Sequence, residues 1–142
     1  MTSTAFADHH DQLVGMAKGI VATVSTGSSE ALRDLPAQRM ALSKMVNVHC
    51  GEEIALINAH APRLRDDPAK TALIRRFHDE LLAWRGDLME CNASWPQRKV
   101  TSDPDGFLTV FNGLSERLQA RVRWEEKAFY PAVLGRMVRG NA

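Results

Sequence analysis

Residues 42–56 read Leu42-Ser-Lys-Met45-Val46-Asn-Val-His49-Cys-Gly-Glu-Glu53-Ile-Ala-Leu56. Leu42, Met45, Val46, His49, Glu53 and Leu56 recur at three- and four-residue steps, the period of one helix face. On that face His49 and Glu53 lie one turn apart, ~6 Å along the axis. The rest of the face is apolar. An unpaired charge aimed into a core costs several kcal/mol, so a histidine and a carboxylate placed there need a partner. The same local pattern returns 72 residues later as Arg121-Val-Arg-Trp-Glu125-Glu126, with arginine at the place of the histidine.

Outward from this stretch the hydrophobic period stays helical. A first helix over about 5–25 carries the seam Phe6, Leu13, Ala17, Ile20 and Val24, and stops at the breaker cluster Ser25-Thr-Gly-Ser-Ser29. A short helical piece fits Glu30–Asp34. The second helix runs from near Pro36, a residue suited to a first turn, to about His60. Asp66-Asp67-Pro68 forms a loop and an N-cap for a third helix over about 68–93, with Ile74, Phe77, Leu81, Trp84 and Leu88 on one stripe. Ser94 to Pro104 reads as a polar loop. A fourth helix then reaches about Met137, bent or broken near Pro131. Strand signals are almost absent. Four long amphipathic segments predict an all-α, up-down-up-down antiparallel four-helix bundle.

The 142 residues fit one domain, 1–142, with its core over about 5–137. A net charge of +1, with scattered basic residues, offers no nucleic-acid or membrane-surface partner. No apolar run approaches the ~20 residues a bilayer span needs. Cys50 and Cys91 have no CxxC spacing, and reduced thiols in a cytoplasmic protein are the simplest account. The N-terminus has neither the basic nor the apolar region of a secretory signal. HExxH, ExxH, P-loop, GxGxxG and GxSxG motifs are all missing.

The two halves repeat. His10-Asp-Gln-Leu13 on the first helix matches His78-Asp-Glu-Leu81 on the third, and His49-xxx-Glu53 on the second matches Arg121-xxx-Glu125 on the fourth. On the fourth helix Phe111, Leu114, Leu118, Arg121, Glu125, Ala128 and Ala132 form the inward stripe. In a bundle of two such hairpins these positions meet in one layer of three imidazoles, two carboxylates and one guanidinium. Imidazole with carboxylate suits iron, manganese or zinc, and mixed sites with bridging carboxylates favour iron or manganese over a structural zinc.

The order His, His-xxx-Glu, His, (His)-xxx-Glu on successive helices resembles the hemerythrin-like HHE cation-binding domain. The run Glu125-Glu126-Lys-Ala-Phe-Tyr-Pro131 is similar to the end of that domain's last helix. The resemblance covers roughly residues 5–135. It implies a non-heme di-iron centre inside the bundle, and a protein that carries or senses oxygen, responds to nitric oxide, or senses, handles or stores iron. It carries the metal-ligand role onto His10, His49, Glu53, His78 and Glu125. Arg121 departs from the pattern, because it stands at the last histidine and a guanidinium has no lone pair to give a metal. A further helix-three histidine is also missing, with Ile74 and Leu82 one turn to either side of His78. A mononuclear, a weakened binuclear and an empty site all remain open.

Other polar residues are assigned blander roles. His9 is expected to be solvated or to pair with an acid, Glu52 to be exposed, and Glu126 to be an exposed partner of Arg123 or Lys127. His60 is read as a helix-end residue, Cys50 as a buried small residue, and Trp84, Phe111, Trp124 and Phe129 as packing. Arg121 either reaches solvent or pairs inside the layer. Three classes of function remain: an iron module binding O2, NO or iron itself; an iron-dependent redox enzyme acting on peroxide or nitric oxide; and a metal-free regulatory bundle acting through a protein partner, as a monomer or homodimer. Binding or sensing is preferred to catalysis.

Overall fold

The computed structural model describes residues 3–135. Every regular element among them is helical and none is a strand. Helix α1 spans Ser3–Thr26, α2 Ser29–Leu32, α3 Leu35–His60, α4 Pro68–Ser94, α5 Gln97–Ser102, α6 Pro104–Trp124 and α7 Tyr130–Leu134. A 3-10 turn at Ala61–Leu64 follows α3, and a π-helical segment at Glu125–Phe129 joins α6 to α7.

Local chemistry sets these ends. Gly27 stops α1 in the left-handed region, at φ 69°, which costs glycine little. Asp67 caps α4 by accepting from the Lys70 N–H at 3.1 Å, with Pro68 in the first turn where no N–H is needed. Asp103 does the same for α6 through Gly106, at 3.0 Å. Among the described residues no helix is long and apolar enough to cross a membrane.

The seams read from the sequence are buried: Phe6, Leu13, Ala17, Ile20 and Val24 on α1, and Ile74, Phe77, Leu81, Trp84 and Leu88 on α4. Helix α1 packs on α3 and α6, and α4 packs on α6 and α3, so the four long helices enclose one core. Fully burying one such leucine or phenylalanine contributes ~1.5–3 kcal/mol. Trp84 also satisfies its indole N–H on the Leu114 carbonyl at 2.9 Å.

Two expectations are corrected. The segment from Ser94 to Pro104 is not a plain polar loop, because it contains α5. Val100 is fully buried and Trp95 meets Phe107 edge-on, so two apolar anchors fold the connection onto the core. Arg39 fastens it from α3 by donating to the Trp95 carbonyl at 2.7 Å.

The last long helix is interrupted near Pro131, as the sequence suggests. It widens just before it, where Tyr130 N–H bonds to the Glu125 carbonyl five residues back. Proline's ring would crowd the carbonyl four residues earlier in a regular helix, and a π turn moves that carbonyl away. The inward stripe shifts with the turn: Ala128 is exposed, while Glu125, Glu126, Phe129 and Tyr130 are buried. The end expected near Met137 lies outside the described residues.

Candidate metal centre

His10 comes from α1, His49 and Glu53 from α3, and Glu125 from the start of the π segment. All four are buried, and each offers a donor atom within 4.8 Å of the other three. Each residue lies on the inward face of its segment, where α1 packs on α3 and on α6.

The imidazoles are aimed by partners behind them. His10 Nδ1 lies 2.6 Å from Glu126 Oε2, which leaves Nε2 facing Glu125 Oε1 at 3.1 Å and Glu53 Oε2 at 3.7 Å. His49 Nδ1 lies 3.0 Å from His9 Nδ1, and its Nε2 lies 3.6 Å from Glu53 Oε1. In each ring, one nitrogen is tied outward and the other points to the shared centre. Metal-ligating histidines are oriented in this way.

Glu126 and His9 correct the sequence reading. Glu126 is buried, because the π turn rotates two successive glutamates inward. His9 is half-buried against the His49 ring. Tyr130 carried no sequence signal beyond its place before Pro131. It is fully buried, and its hydroxyl meets Glu53 Oε2, Glu125 Oε1 at 2.9 Å and His10 Nε2 at 3.3 Å.

Arg121 is buried and turned inward. Its Nε stands 2.7 Å from Glu125 Oε2, off the hydrogen-bond direction, so this contact is an ion pair. Its Nη2 donates to the Phe77 carbonyl of α4 at 2.8 Å. The guanidinium therefore stands between Glu125 and α4. His78, on α4, is not part of the group of four. It is half-buried, and its Nε2 is shielded from solvent without a hydrogen-bond partner. His60 bonds the Leu56 carbonyl through Nδ1 at 3.1 Å, a helix-end role, and Glu52 is exposed.

Electrostatics in the metal-free site follow from burial and this crowding. Burial alone would lower the His10 pKa, but hydrogen bonds to Glu125, Glu126 and Glu53 outweigh it and raise it to about 11. Burial also opposes charge on Glu53, yet Glu125, His10 and His49 around it hold it well below the usual carboxylate range. Burial and the Glu53 charge beside it push Glu125 up to about 8. Burial, with both carboxylates, drives Tyr130 far above the ordinary phenol range, so here it is a neutral donor. Burial lifts the Cys50 thiol to about 12, so in this environment it is a neutral thiol.

A cation fits this set. Two buried carboxyl groups converge on the Tyr130 hydroxyl, and Glu53 Oε1 is buried with no hydrogen-bond partner. Leaving such an oxygen unsatisfied costs ~1–3 kcal/mol. A cavity of about 20 Å³ borders His10, His49, Glu53, Arg121 and Glu125. That is room for about one small ion or water.

Compared with protein-family models, with curated proteins and with solved structures, the chain matches none.

Proposed function

We propose that this chain is a hemerythrin-like, non-heme iron protein whose centre is held by His10, His49, Glu53 and Glu125. The four buried donors within 4.8 Å of one another carry the reading. Two imidazoles and two carboxylates suit iron, although manganese and zinc accept similar donors. The finer fold belongs to the same reading: four long helices running up, down, up and down, each giving its inward face to the layer. The free, buried thiols Cys50 and Cys91 fit a cytoplasmic setting.

Arg121 makes the centre mononuclear in this proposal. Its charge neutralises Glu125 on the side toward α4 and repels a second cation there. His78 is left as one nitrogen without the partner a second ion would need. When bound, iron supplies a redox-active Lewis acid able to take a diatomic ligand such as O2 or NO. The chain's own part is to aim two imidazoles through Glu126 and His9, to hold two carboxylates, and to exclude water behind Leu118 and Trp84. The site cavity has little room beyond the ion, which favours binding or sensing of iron itself over turnover.

A second reading has its own support. Arg121 already compensates Glu125, and His10 already bridges three acids, so a metal-free bundle acting through a protein partner is also self-consistent. Iron per chain separates the two. The chain as purified, and again after anaerobic reconstitution with ferrous iron, should hold about one iron, and H49A/E53A should hold none. No uptake by the unaltered chain would remove the iron reading in favour of the second.

A further inference from the structure

We propose that Tyr130 is a fifth ligand of this centre and that its phenolate suits the site to trivalent iron. The inference rests on the metal reading above and adds to it a ligand and an oxidation state. Position carries it. The Tyr130 hydroxyl is within hydrogen-bond reach of His10 Nε2, Glu125 Oε1 and Glu53 Oε2, three of the four candidate ligand residues. An ion drawn to those three atoms is also beside the phenol oxygen. The side chain is held there: it is fully buried, its ring packs on Phe6 and Phe129, and its backbone N–H is fixed to Glu125 by the π turn.

Charge points the same way. Glu53, Glu125 and a Tyr130 phenolate supply three negative charges, which a trivalent ion cancels. The Arg121 guanidinium beside Glu125 and the Glu126 carboxylate beside His10 add one charge of each sign, so the sum over these groups stays at zero. A buried centre with no net charge avoids the heavy cost of leaving one uncompensated. Phenolate and carboxylate are hard anionic oxygens, and tyrosinate is an established ligand for iron in proteins. As ferric iron enters, the phenol O–H bond breaks and an oxygen–iron bond forms. The proton leaves to solvent, and no electron is transferred.

The chain offers a clean readout, because Tyr130 is its only tyrosine. The metal-free protein is titrated with ferric nitrilotriacetate, iron per chain is counted, and the visible absorption and resonance Raman spectra are recorded. Expected are about one iron per chain and a visible phenolate-to-iron charge-transfer band whose excitation enhances tyrosine ring vibrations. Y130F should keep its iron and lose the band entirely. Ferric iron bound by the unaltered chain without the band would overturn Tyr130 as ligand while leaving the metal reading intact. A band persisting in Y130F would overturn it equally. No ferric or ferrous uptake would overturn both. Should Y130F fail to fold, the spectrum of the unaltered chain alone decides, since no other tyrosine can give the band.

Discussion

Replacing Arg121 by histidine removes a buried cation that several neighbours share. The guanidinium pairs with Glu125 at 2.7 Å, donates to the Phe77 carbonyl at 2.8 Å, and stands 5.1 Å from the centre of the Phe77 ring. The two side chains of the ion pair are 7% and 3% exposed, so solvent screens it little. Deleting one member of a buried pair typically costs ~3–5 kcal/mol, because the other is left uncompensated. Glu125 recovers part of this by keeping its proton, since its pKa is already raised to about 8. A loss of ~3 kcal/mol in the metal-free protein is the resulting expectation. For a domain of this size that lowers Tm by roughly 10 °C. Iron should reverse the effect. An imidazole offers the lone pair a guanidinium lacks, so R121H should rise from about one iron per chain toward two and regain stability on loading. Thermal unfolding with and without iron, followed by circular dichroism alongside elemental analysis, measures both quantities. An R121H protein with unchanged Tm and unchanged iron content would refute the placement of Arg121 in the metal layer.

Other outcomes follow from the same geometry. E126A should weaken metal binding by ~10–100-fold in a competition titration while leaving the four donors in place, because it unties His10 Nδ1. Uptake of ferrous iron at pH 7 should release about two protons, one from His10 and one from Glu125, with about one released between pH 8 and 11, and ferric iron should release one more from the Tyr130 phenol; pH-stat titration reads this directly. The metal-free chain should be most stable near pH 4.5. Glu53, with its depressed pKa, loses its contribution as pH falls below 4.5, whereas Glu125 loses its contribution as pH rises from 4.5 to about 8 and His10 as pH rises from 6.5 to about 11; denaturant melts across pH test the optimum. F77A should cost ~3–5 kcal/mol in the same melts, since Phe77 stacks on Phe129 at 4.7 Å with no exposed surface.

The helices and their inward faces were legible because a 3.6-residue period in apolar side chains is a direct record of burial. Leu13, Ile20, Leu81 and Leu118 needed nothing more. The i,i+4 pairs His49–Glu53 and Arg121–Glu125 were legible for the same reason. Depth was not. His10 and His78 occupy matching places in the repeat, yet only His10 enters the group of four, because Arg121 stands between Glu125 and the helix that carries His78. Glu126 and Tyr130 were hidden by a change of period. A 3.6-residue ruler laid along residues 121–132 points Glu126 outward and Ala128 inward, and the π turn reverses both. His9 was misjudged because pattern reading asks which residue faces the core, not which one stands behind it.

Proline 131 would ordinarily be taken for punctuation, a place where the last helix falters. Its effect is one of phase. In an unbroken α-helix, five residues of rotation would carry Tyr130 roughly 140° around the axis from Glu125, away from the carboxylates. The widened turn ahead of the proline absorbs that angle and brings the two side chains into register. The same lost rotation lets neighbouring glutamates reach opposite nitrogens of one imidazole, Glu125 at Nε2 and Glu126 at Nδ1. A residue with no hydrogen-bond donor and no polar side chain thus sets the timing of the centre from outside it, and a chain with alanine at 131 could keep every donor and still lose the focus.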